Sequence, residues 1–181
     1  MKRKSARKGR YLTVSLLLVI AIAVAGWMLN SWITEPVGLS VPASSFNNGE
    51  DTDSRQIYTA AVRHMQMAEY EQALSLWHQL LLTNPEIPEI KVNMGFSLFE
   101  LEQYVTARDF FIAAMEQNAY QANAYYGLAI TSEKLGDLEG AIGAMRSFLH
   151  LADDDTEKKF LRKARAALWE WEAQLSPKPA G

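Results

Sequence analysis

The chain has 181 residues, 49% of them hydrophobic, a formal net charge of −3 and no cysteine. That length suits one modest folded domain. The absence of cysteine excludes disulfides, a lipid anchor on cysteine, covalent haem attachment and thiolate metal sites. Six of the 18 basic residues fall in the first ten positions with no acid among them, which leaves 12 basic against 21 acidic side chains in the remainder. An acidic folded part argues against nucleic acid as its partner.

Residues 1–10, MKRKSARKGR, read as a basic arm on the cytoplasmic side. A nuclear-localisation signal is a second reading of such a run, but the next segment speaks against it. From Tyr11 to Leu29 there is no charge, and the apolar character continues to Ile33. Nineteen residues of helix at about 1.5 Å each approach the roughly 30 Å of a hydrocarbon core. Residues 11–33 are therefore expected to be a transmembrane anchor, with Trp27 and Trp32 at its far interface and the positive arm held inside. Cleavage after Ala23-Val24-Ala25, before Gly26, is the competing reading; the apolar residues beyond that site favour an uncleaved span. Residues 34–53 mix Pro, Gly, Ser and Asn without a helical period and read as a linker.

From Ser54 onward the chain repeats itself every 34 residues. Ala73, Ala107 and Ala141 share one register, and Trp77, Phe111 and Met145 share another. Tyr70, Tyr104 and Leu138 form a third, and the small residues Ala61, Gly95 and Ala129 a fourth. A fixed period of roughly 20–50 residues marks a stacked array in which each unit buries its apolar face against the next. Helices are predicted near 54–67, 70–83, 88–101, 104–117, 122–135 and 138–151. Asn84-Pro85 and Gly136-Asp137 supply turn signals between them. The small residues should let the two helices of a unit approach closely, while the large one fills the space against the following unit.

On these residues the units resemble tetratricopeptide (TPR) repeats, spanning 54–87, 88–121 and 122–155. The family's proline after the second helix is kept at Pro85 and replaced by Ala119 and Asp153, and Lys91 and His64 stand where apolar residues are usual. Beyond the repeats, Leu161, Ala164, Leu168, Trp171 and Leu175 fall on one stripe of a helix expected over 156–175. This helix would close the array as a cap. Trp169 lies off that stripe and is a candidate contact residue; residues 176–181 form a tail. The chain is thus expected to be all-α. An N-terminal transmembrane helix leads into a three-repeat TPR-like α-solenoid of helix pairs with a C-terminal capping helix.

No catalytic constellation is legible. His64, His78 and His150 are dispersed, no glycine-rich phosphate loop occurs, and the acids at 153–155 lack the ligand order of a calcium loop. No enzyme activity, metal or cofactor is expected. The resemblance implies that the first helix of each repeat lines a concave face. Carried over position by position, it assigns Arg55, Tyr58, Val62 and Met65 in repeat one and Glu89, Val92, Phe96 and Phe99 in repeat two. Repeat three supplies Asn123, Tyr126, Ile130 and Glu133. The apolar members of that set make a candidate groove for a peptide or partner protein. A carboxylate clamp of the kind some family members carry is not expected, because Asn93 is the one residue of the clamp type and the lysines are missing.

The resulting expectation is a non-catalytic scaffold on an inner membrane, spanning it once. The N-terminus would be cytoplasmic and the repeats periplasmic, holding a peptide or protein in an envelope complex. The layout resembles that of membrane-tethered repeat subunits of cytochrome c maturation or envelope assembly. The alternative is a structural subunit that self-associates as a homo-oligomer through the same groove.

Overall fold

The computed structural model describes residues 52–152 and 158–176. Among them run seven helices: α1 (Thr52–Gln66), α2 (Tyr70–Thr83), α3 (Pro88–Glu100), α4 (Tyr104–Gln117), α5 (Ala122–Lys134), α6 (Leu138–Leu151) and α7 (Lys158–Leu175). The fold is all-α, a TPR-like helical repeat. The helix α1 begins two residues before the expected start and takes in Thr52 and Asp53, which the sequence reading placed in the linker.

Each pair is closed by the same backbone device. Ala68, Glu102 and Gly136 have φ of 58°, 59° and 81°, and they stand 34 residues apart. The following residue's N–H reaches back to a carbonyl five residues earlier: Glu69 to His64, Gln103 to Leu98 and Asp137 to Ser132, each at 2.9 Å. This left-handed residue with a 6→1 bond is the ordinary way of ending a helix sharply. Only at Gly136 does the residue suit the conformation without steric cost. Pro88 sits in the first turn of α3, where a missing N–H costs nothing. The α6 start is fixed by Asp137, whose carboxylate accepts from the Gly140 N–H at 2.9 Å.

Within each pair the two helices pack on each other, and α2 on α3 and α4 on α5 link the pairs. The helices α3 and α5 also touch directly, and α7 lies on α6. Ala61, Ala73, Ala107, Ala129 and Ala141 have no exposed surface, nor have Trp77, Phe111 and Met145; Gly95 is buried with them. A further register, Leu80, Ala114 and Phe148, is equally buried and was not singled out from the sequence. The Phe111 ring explains the small residues around it. A Cβ at Gly95 would stand 2.7 Å from Phe111 Cε1, and one at Gly127 would collide with the same ring more severely. Phe111 is therefore wedged between α3 and α5, and Gly127, invisible in the repeat registers, is half of its slot.

The helix α7 buries Phe160, Ala164 and Trp171, with Leu161 and Leu168 partly covered; Ala164 and Trp171 join the cluster of Met145 and Phe148. Phe160 was not on the expected stripe, and Leu175, which was, is 44% exposed. Arg146 of α6 ties to Glu172 of α7 at 2.6 Å.

The expected localisation is overturned. No helix among the described residues is long and apolar enough to cross a membrane. The segment 11–33, to which the span was assigned, lies outside the described residues, as do the arm 1–10, the segment 34–51, residues 153–157 and the tail from 177.

Candidate functional site

The candidate groove residues divide into two groups. Tyr58, Val62, Phe99, Tyr126 and Ile130 keep part of their surface open. Met65, Val92 and Phe96 do not: they are 2%, 2% and 7% exposed and belong to the interior. The reasons are local. Met65 sits under Trp77, whose indole N–H donates to its Sδ at 3.3 Å. Phe96 meets Phe111 edge to face, with centroids 5.0 Å apart. Val92 and Phe96 both lie on α3, which has neighbours on more sides than α1 because it packs on α2, α4 and α5.

Three of the open members are held by second-helix aromatics. Tyr58 packs edge-on against Trp77 at 5.1 Å, and Tyr126 against Phe148 at 5.2 Å. Phe99 meets Tyr104 at 5.4 Å, across the turn at Glu102. Such contacts favour defined ring positions by roughly 0.5–1.5 kcal/mol beyond area burial. Burial also pushes the Tyr126 phenol above its ordinary pKa, so the ring offers a neutral hydroxyl. The polar concave candidates lie on the same three helices, α1, α3 and α5. Arg55 is exposed, while Glu89, Asn123 and Glu133 are half-buried.

Two features were not legible. Burial, and then the Glu100 charge and hydrogen bond, raise the pKa of the Tyr70 phenol; burial likewise raises the pKa of Glu100, opposed by the hydrogen bond from Tyr70. This bond joins the start of α2 to the end of α3, across the boundary between two pairs. Asn93 is 1% exposed, and its side-chain amide nitrogen has no hydrogen-bond partner among the described residues. Asn93 is shut inside α3 rather than displayed as a clamp residue. The two residues atypical of the repeat are also accounted for. His64 Nδ1 lies 2.6 Å from Glu69 Oε2, and Lys91 reaches the Pro85 carbonyl at 3.5 Å. Among the described residues, no group of three or more His, Cys, Asp or Glu could hold a metal ion.

No protein-family model matches the sequence, and neither does any curated protein. Solved structures do match. PcrH of Pseudomonas aeruginosa, in complex with the chaperone-binding region of PopD, superposes with a TM-score of 0.66 at 17% identity, covering 72% of this chain and 99% of that one. The Yersinia enterocolitica type III secretion chaperone SycD, in complex with a peptide of the translocator YopD, gives 0.65 at 16% identity over 72% and 100%. The first TPR of Spaghetti (RPAP3), bound to an HSP90 peptide, gives 0.56 at 19% identity over 66% and 96%. At these identities the likeness establishes the fold.

Proposed function

We propose that this chain is a non-catalytic protein-interaction module. In this reading, the first-helix face bearing Val62, Phe99, Tyr126 and Ile130 holds an apolar segment of a partner protein. The observation that carries the reading is selective exposure. These uncharged residues remain partly open while Val92 and Phe96, at equivalent repeat positions, are packed away. Partly open apolar surface on a preformed face is what a docking segment needs. The structural neighbours crystallised with peptides support the same use of the fold. The repeat bounds 54–87, 88–121 and 122–155 belong to this proposal, as does the absence of catalysis.

The test is site-specific photocrosslinking in cells. A photoreactive phenylalanine analogue at Val62 or Ile130 should capture a discrete protein, whereas the same analogue at His78, exposed on α2, should not. The double variant Val62→Asp and Ile130→Asp should then bind the captured protein at least tenfold more weakly, as expected for loss of central contacts. Equal capture from His78, or undiminished binding by a double variant with unchanged circular dichroism, rejects the reading.

A further inference from the structure

The outward face of α7 carries a pattern that packing among the described residues does not use. Arg162, Ala166, Trp169 and Ala173 follow one another at steps of four, three and four, so they form a single stripe. All four are exposed, Trp169 by 74%. The stripe lies opposite Phe160, Ala164 and Trp171, which face the core. A single exposed apolar residue needs no explanation. This one is flanked by two alanines, one either side along the helix, that would let another backbone come close.

The charges along α7 are segregated as well. Arg162 and Arg165, both exposed, belong to its first half, and Glu170, also exposed, to its second. Glu172 adds to the acidic half but is already tied to Arg146. A second α7 running antiparallel would set the basic half of each copy beside the acidic half of the other. A parallel partner would set like against like.

We propose that this face of α7 docks a second copy of the chain in an antiparallel, two-fold pair centred between Ala166 and Trp169. In that register each Trp169 lies over the other copy's Ala166, and each Arg162 lies opposite Ala173. The contact is isologous, so it closes on itself as a dimer rather than growing into a fibre. One pair of helices about 27 Å long is a small interface, so the dimer is concentration-dependent. It uses none of the residues of the Val62–Ile130 face and does not rest on the function proposed above.

The full chain should change from monomer to dimer mass with increasing concentration in sedimentation equilibrium. Trp169→Glu should weaken that association at least tenfold while leaving the circular dichroism melt unchanged, since the residue is exposed. Association through the apolar run 11–33 would survive Trp169→Glu, so this variant separates the two. The absence of cysteine allows a second readout. With a short bis-maleimide, Arg162→Cys should couple to Ala173→Cys in a mixture of the two variants, but not to itself. Monomer at all concentrations, assembly indifferent to Trp169→Glu, or self-coupling of Arg162→Cys as strong as the mixed product would each overturn the proposal.

Discussion

The helices α1 and α3 occupy the same place in successive repeats, yet they differ in how much of themselves they hide. In α1 three residues are buried: Ser54, Ala61 and Met65. In α3 the run from Val92 to Leu98 is buried without a break, and Ile90 with it. Side-chain chemistry does not explain this, since Tyr58 and Val62 are as apolar as many core residues. The difference lies in the number of neighbours. The helix α3 is enclosed by α2, α4 and α5, whereas α1 rests mainly on α2. A repeat register fixes the direction in which a residue points. Whether anything stands in that direction depends on the unit's place in the stack.

The largest expected effect uses one register in both helices. Phe96→Ala should destabilise the fold by about 3–5 kcal/mol, the usual cost of removing a buried phenylalanine. Val62→Ala, at the equivalent position in α1, should cost about 1 kcal/mol or less for a half-covered side chain. Urea titration of the full-length variants, followed by circular dichroism, checks both. Comparable losses would mean that α1 is as enclosed as α3.

A smaller effect is expected from Gly127→Ala, because the new methyl group would push against the Phe111 ring. Overpacking of this kind costs typically about 1–3 kcal/mol. Gly143→Ala is the control: its Cβ would meet nothing within 4 Å, so the change should gain up to about 1 kcal/mol of helix propensity. Opposite signs in the melting temperatures would establish that the enclosure of α3 and α5 is set by one ring.

The smallest effect concerns the turns, which α1 and α3 share. Glu102 adopts φ 59° with a full side chain, so Glu102→Gly should stabilise by about 1 kcal/mol. Gly136→Ala should lose a similar amount. An unchanged melting temperature in both would show that the turn conformation is not strained.

Much of the array was legible because its period is carried by steric necessity. Ala107 has to be small where two helices touch, and Trp77 has to be large where a gap must be filled. The left-handed turn residues were legible only at Gly136. Ala68 and Glu102 adopt the same geometry without the residue that advertises it, since the 6→1 bonds are made by backbone atoms. Gly127 escaped notice because its partner Phe111 lies in a different helix pair, and no periodicity within one pair encodes that contact. The candidate groove was the least legible part. Positions carried over from the TPR resemblance gave a face, but the stacking around α3 closed Val92 and Phe96, and Trp77 closed Met65.

The Phe111 wedge has a mechanical consequence. Its ring belongs to α4 but is gripped by glycines of α3 and α5, so neither the second nor the third pair can open without releasing the same side chain. Trp77 instead finds Tyr58 and Met65 inside its own pair. Local opening follows such units of shared packing rather than sequence repeats. The second and third pairs should therefore exchange their amide hydrogens as one block, with the first pair joined to it through the α2–α3 packing and the Tyr70–Glu100 bond. The unit of local opening is then set by one aromatic side chain rather than by the 34-residue repeat.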